Sequence, residues 1–172
     1  MQKINKLKSK LVNLKTLSGE KSTIYTVLEI QSDGSRSALF DRFIEDFRDA
    51  YQPELTDVLR RLISIGKQTG ALVTFFKMDE GLEADDMVCA LFDIPYKYLR
   101  LYCIRVSEKI VIVGSGGPKQ TRTWQEDPLL SKEVHRMMEI SARLRLKLNN
   151  GAFSLSADGL HIVGGKLILS ET

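Results

Sequence analysis

Two runs of β-forming residues separated by two positions constrain this chain most. Tyr98 to Val106 and Lys109 to Val113 are rich in branched and aromatic side chains, and only Ser107-Glu108 lies between them. So short a connection joins antiparallel neighbours, whereas a parallel pair needs a crossover of a dozen residues or more. A β meander is therefore predicted for the second half. Gly114-Ser115-Gly116-Gly117-Pro118 is predicted to leave its second strand as an irregular segment.

Upstream, Ser22 to Ile30 is rich in β-formers and reads as a strand, broken at Ser32-Asp33-Gly34-Ser35. The segment Ile4 to Leu17 is open between two states. Ile4, Leu7, Leu11, Leu14 and Leu17 recur at helical spacing, yet Leu11 to Leu17 could pair with the next segment across Ser18-Gly19-Glu20. Two helices are predicted next. Leu39, Phe40, Phe43, Ile44 and Phe47 make one apolar stripe, and Leu55, Val58, Leu59, Leu62 and Ile63 a second, with Pro53 between them and Gly70 as a stop. Asp127-Pro128 is a strong start signal for a helix running to about Leu148. Residues 152–169 read as short strands broken at Asp158-Gly159 and Gly164-Gly165. The fold class expected is α+β: an antiparallel sheet with an N-terminal helical hairpin packed on it, a C-terminal helix and a short β tail. Residues 1–172 form one domain on this reading, with a core over 22–148 and a hairpin-like tail over 149–172.

A length of 172 residues fits a single domain, and 43% hydrophobic residues supply a core for it. The longest apolar runs fall far short of the about 20 residues that a membrane span needs, and no apolar segment follows the basic start, so a cytoplasmic protein without a membrane partner is expected. Cys89 and Cys103 lie in apolar runs without metal-ligand spacing and are expected as buried, reduced thiols. The net charge of +3 hides a segregation. Residues 1–28 hold six lysines against one glutamate, residues 29–94 seven basic against fourteen acidic side chains, and residues 95–147 eleven basic against five acidic. The basic segments either converge on a polyanion or pair with the acidic middle.

Few residues have spacing that carries chemistry. The Gly114–Lys119 stretch fails as a phosphate loop, because Pro118 removes a backbone donor and Lys119-Gln120 does not open a helix. Asp79, Glu80, Glu83, Asp85 and Asp86 match no calcium loop and read as a solvated acidic segment or as one facing a basic partner. No metal or other cofactor is expected. His135 and His161 form no obvious pair, and Trp124 reads more readily as a packing anchor than as a base-stacking platform. Arg100 and Arg105 sit five apart on one strand, hence on opposite faces, with Tyr98 and Tyr102 on the face of Arg100. Lys119 and Arg122 follow the next strand, and Arg136 and Arg143 the helix beyond.

Tyr98-Leu-Arg-Leu-Tyr-Cys-Ile-Arg-Val, Lys-Ile-Val-Ile-Val, a glycine turn, Lys119-Gln-Thr-Arg and a helix, taken in this order, resemble the RelE/ParE toxin superfamily, especially its HigB-like and phage-derived branch. The chain departs from the family in having Pro118-Lys119 where two lysines are usual, Gly116-Gly117 in place of an aromatic residue, and an added tail. The resemblance implies a RelE/ParE-like fold and the toxin of a type II toxin-antitoxin pair. It implies an endoribonuclease that cleaves mRNA on the ribosome without metal. It implies an antitoxin partner, of helix-turn-helix type, covering the basic surface. Carried over, Arg100, Lys119 and Arg122 would balance phosphate charge, and Lys119 or His135 would take a proton. Tyr98, Tyr102, Arg105 and Trp124 would contact RNA. The alternatives left open are a non-catalytic toxin that grips a protein target and a regulatory module.

Overall fold

The structure, a computed structural model, describes residues 8–78, 80–81, 86–91 and 98–171. The start of the basic N-terminal stretch and Asp79, Glu83 and Asp85 of the acidic segment lie outside the described residues. The elements run β1 (Lys8–Asn13), β2 (Thr23–Ile30), β3 (Arg36–Ala38), α1 (Leu39–Phe47), α2 (Gln52–Ser64), β4 (Phe76–Lys77), β5 (Val88–Leu91), β6 (Leu99–Ser107), β7 (Ile110–Pro118), α3 (Pro128–Asn149), β8 (Ser154–Leu155), β9 (Ile162–Val163) and β10 (Ile168–Glu171).

Among the described residues, eight strands form one sheet in the order β10-β1-β2-β7-β6-β5-β4, with β3 also paired to β2, while β8 and β9 make a separate hairpin. The sheet is mixed. Thr23 to Thr26 of β2 run parallel to Ile110 to Val113 of β7, and the other pairings are antiparallel. This overturns the expected architecture, an antiparallel RelE/ParE-like sheet with a helical hairpin at the N-terminus. The described chain opens with strands instead, and its first helix begins only at Leu39. Of the two states left open for Ile4 to Leu17, β1 takes the paired one, joining β2 with Ser9 and Leu11 buried and Lys10 between them less so. Beyond α3, β8 and β9 form a hairpin, and β10 pairs with β1 at that side of the sheet.

Period-two burial explains the layering. On β7, Ile110 and Ile112 face α3, packing with Leu130, Val134, Met137, Ile140 and Leu144. Val111 and Val113 face the other way, onto Phe40 and Phe43 of α1 and Leu55 and Leu62 of α2. A strand covered on both faces has no need of polar alternation, which is why Ile110 to Val113 is an unbroken apolar run. Each of these side chains contributes about 2 kcal/mol by leaving water. At α3 the start signal acts as expected: the Asp127 carboxylate accepts from the Leu129 and Leu130 amides at 3.0 and 3.2 Å, with Pro128 in the first turn.

The hairpin β6–β7 turns at Glu108-Lys109, and β7 then runs through the glycines to Pro118 rather than breaking at Gly114. Two β7 residues, Gly114 and Ser115, stand opposite the single Tyr102, which makes a β-bulge. The glycines are needed for close approach. A Cβ on Gly116 would run into the Arg100 carbonyl, and one on Gly114 into the Met137 sulfur of α3.

Cys89 and Cys103 face one another across β5 and β6, both fully buried. Burial pushes the Cys89 thiol up to about 12 and Cys103 well above its ordinary value. Only a thiolate attacks, so the folded protein is expected to resist thiol reagents at pH 8 and to release two reactive thiols on unfolding. Absorbance of a chromogenic disulfide reagent with and without denaturant checks this. Fast labelling of the native chain would show the pair to be accessible.

Candidate functional site

Four short strands bring charges together that lie far apart in sequence. Lys77 of β4 stands opposite Ala90 of β5, Ala90 stands opposite Tyr102 of β6, and Arg100 lies two residues before Tyr102. Arg100 in turn pairs with Gly117 of β7, and just beyond that strand the Lys119 amide donates to the Tyr98 carbonyl at 2.7 Å. Lys77, on the far side of β5, and Arg100 of β6 both act on Lys119 just beyond the end of β7. Glu80 joins them from the loop after β4. Its residue is only 8% exposed, its Oε1 accepts from the Lys77 ammonium at 3.2 Å, and its amide donates to the Val88 carbonyl at 3.2 Å.

The electrostatics agree with the geometry. Burial first, and then the charges of Lys77 and Arg100, hold the Lys119 ammonium below the usual lysine range, with Glu80 opposing the shift. Burial, helped by Glu80 and Asp127 and opposed by Arg100, pushes the Tyr102 phenol well above its usual range. Among the described residues, Lys77, Arg100 and Glu80 all act on Lys119.

The sequence-derived candidates divide. Arg100 acts on Lys119, and Tyr98, whose carbonyl accepts from the Lys119 amide, is exposed. Arg122 is exposed in the loop before α3 and is not among the groups acting on Lys119. His135 lies on the outer side of α3, with Nδ1 2.7 Å from the Ser131 carbonyl, and it does not act on Lys119 either. Tyr102 is buried in the core under α3, and Trp124 is buried with its ring edge-on to His135 at 5.6 Å. Both are packing residues here, closed to a stacking base. Arg105 uses its Nε to bind the Ala71 carbonyl at 2.8 Å, which ties β6 to the segment after α2. Lys77 is the member that sequence did not single out, and Glu80 was weighed only within the acidic segment. Glu80 stood in a run that read as solvated, and its burial depends on a β4–β5 pairing that local pattern does not encode.

A second charged group lies on the other flank of α3. Glu29 of β2 accepts from Arg42 of α1 at 2.5 Å and from Arg136 of α3 at 2.8 Å, both on Oε1. Beside it, Ser9, Val27, Arg136, Ile140 and Arg143 line a cavity of about 240 Å³.

Among the described residues no group of three or more His, Cys, Asp and Glu is placed to hold a metal ion, and no helix is long and apolar enough to cross a membrane. No protein-family model matches the chain, and neither a curated protein nor a solved structure matches it.

Proposed function

We propose that this protein is an RNA-binding endoribonuclease that seats a backbone phosphate among Lys77, Arg100 and Lys119, and that it acts in the cell as the toxin of a toxin-antitoxin pair. The observation that carries the proposal is the gathering of three cations around one carboxylate, next to an exposed aromatic ring. Like charges held together raise the energy of the empty site and lower it again when a phosphate enters. Lys119 registers this: the fold disfavours its ammonium, and a bound phosphate favours it. Tyr98, 57% exposed beside the cluster, offers a face on which an unpaired base can stack. Single-stranded RNA satisfies both features, because its bases are free and its phosphates regularly spaced. What supports a cleaving role is the match between three cations and the charge that accumulates on a phosphate under attack by its neighbouring 2′-oxygen. In the toxin role, an acidic segment of the antitoxin would cover the same cations, and mRNA on the ribosome would be the target.

Fluorescence anisotropy with a labelled single-stranded RNA tests the seat. The double variant Lys77→Ala/Lys119→Ala leaves the buried Glu80 carboxylate without its Lys77 partner, so it is expected to lose some stability, and a thermal melt accompanies the binding measurement. Its plot of log affinity against log salt should be shallower by about 1.4, because two fewer phosphates of a single strand are neutralised. The sign at Lys119 is favourable to stability. A folded pKa below the unfolded one means that the ammonium costs stability in full below the folded pKa, and that this cost fades as pH rises through it. Removing the lysine therefore relieves the fold. Expression of the wild type alone should slow growth and the double variant should not. Equal affinity and equal salt slope for the two proteins would remove the RNA seat altogether.

A further inference from the structure

Where β10, β1 and β2 run side by side, the layer under α3 changes from apolar to polar. Ser9 stands opposite Ser170 of β10 on one side and Glu29 of β2 on the other, so the three form one row across the strands. Two residues along, Leu11 stands opposite Val27, and both pack in the core beneath α3. Ser9 and Glu29 share that face, because alternate residues of a strand do. α3 covers the row with Arg136, Glu139, Ile140 and Arg143, whose helical spacing puts them on one side of the helix. Two serines fill little of the space between sheet and helix, and the cavity of about 240 Å³ is left there. A water's share of the liquid is about 30 Å³, so the space exceeds what one ordered water needs. Its polar groups are only partly used. Glu29 Oε1 accepts from both Arg42 and Arg136, while Oε2 accepts from no described residue, although a carboxylate can accept on both oxygens. Among the described residues, the hydrogen-bond partner of Arg143 is Glu139 Oε1, at 3.4 Å. The Ser9 and Ser170 hydroxyls lie 2.6 Å apart, and one hydrogen serves that bond, so the other is left for a further acceptor. A carboxylate that served only to tie α1 and α3 to β2 would need no unfilled space beside it, since interiors pack with few voids.

We propose that this cavity binds a small apolar α-amino acid, with its carboxylate on Arg143 and Arg136, its ammonium on Glu29 Oε2, and its side chain against Val27 and Ile140. The site is independent of the RNA seat. Charge selects the ligand class. A simple anion is drawn to the two guanidiniums but also meets Glu29 and Glu139, and a simple cation meets Arg136 and Arg143. A ligand that carries both signs is matched on both, and polar groups taken out of water need such partners. The planar fork of a guanidinium suits a carboxylate, which it can hold by two parallel bonds. The N–H donors of an ammonium find acceptors in Glu29 Oε2 and in a serine hydroxyl. Val27 and Ile140, both buried, make an apolar wall that suits a short branched side chain. Depth and entry are also distinct. Ser9 and Glu29 are buried, whereas the Glu139 and Arg143 side chains are 69% and 40% exposed and stand at the mouth.

The test titrates the full chain with L-valine by calorimetry and follows thermal melts alongside. L-valine is expected to bind with a Kd of about 1 mM or tighter and to raise Tm as its concentration rises. Two fragments of the same molecule separate its charges: isovalerate lacks the ammonium, and isobutylamine lacks the carboxylate. Each is expected to bind about tenfold more weakly or worse. Arg143→Met keeps the length of the side chain and loses the guanidinium, so it is expected to weaken L-valine binding by about tenfold or more. Its melt without ligand should stay close to that of the wild type, since the pair with Glu139 is exposed. Ser9→Leu fills the cavity from the sheet side and is expected to abolish binding, which gives a second route to the answer if R143M folds poorly. A wild type that binds L-valine no tighter than about 10 mM would overturn the proposal. So would isovalerate or isobutylamine binding as tightly as L-valine, or undiminished L-valine binding in either variant.

Discussion

Gly116→Val is expected to destabilise the protein by about 3 kcal/mol or more, because the new side chain must displace backbone rather than a flexible neighbour. A Cβ at this position would strike the carbonyl oxygen of Arg100, with the Arg100 carbonyl carbon 2.8 Å away and the Leu101 Cα 3.3 Å away. Relief requires β6 and β7 to separate at the bulge opposite Tyr102, where both faces of the sheet are covered and no room exists. In a chain of this size the loss corresponds to a fall in Tm on the order of 10 °C. Gly34→Ala is the control. Gly34 has φ of 85° with open space around it, so the cost there is backbone strain alone, about 1 kcal/mol. The comparison is a pair of thermal melts by circular dichroism. Equal, small shifts would mean that the bulge accommodates a side chain and that the approach of the two strands is not a constraint.

The second large effect is expected at Glu29. Its carboxylate, with a side-chain exposure of 12%, holds one guanidinium from α1 and another from α3 on a single oxygen. Glu29→Ala leaves Arg136, 24% exposed, with only its 3.9 Å pair to Glu133, and frees Arg42 to solvent at 39% exposure. Breaking a pair from the carboxylate side costs about 3 kcal/mol when the cation left behind is poorly solvated. Glu29→Gln keeps an acceptor and should cost less. Arg60→Ala supplies the baseline: its pair with Asp57 spans 4.0 Å with both side chains exposed, and its removal should cost under about 0.5 kcal/mol. Denaturant midpoints for the three variants decide the matter. A Glu29→Ala midpoint indistinguishable from that of Arg60→Ala would show that the two helices are held by packing alone.

What sequence made legible was local, and what it hid was pairing. Asp127-Pro128 announced α3, since a cap acts within one turn. The apolar stripes announced α1 and α2 for the same reason. The strand Thr23–Ile30 was legible as a strand, but its parallel partner Ile110–Val113 lies more than eighty residues away, and periodicity carries no information about partners. The glycines after Val113 read as a break because glycine usually marks one. Here they extend the strand, since Met137 and the backbone of Arg100 take up the volume that side chains would fill. The candidate site divides along the same line. Arg100 and Lys119 were visible through a hairpin of short reach. Lys77 and Glu80 arrive through β4 and β5, whose pairing spans only two residues on one side, Phe76 with Leu91 and Lys77 with Ala90.

The pairing of β1 with β10 has a consequence for the order in which the chain can acquire its structure. Ser9 and Ser170 join hydroxyls at 2.6 Å across 161 positions of sequence, and the other edge of β1 pairs with β2. During synthesis the outer edge of β1 stays unpaired until residues 168–171 have been made, while β2 likewise waits for β7. Nascent chains with both partners missing leave these strand edges open to their neighbours. Contacts of such long range also slow folding once the chain is complete. The β10 strand thus acts as a latch that closes this side of the sheet only after residues 168–171 have been made.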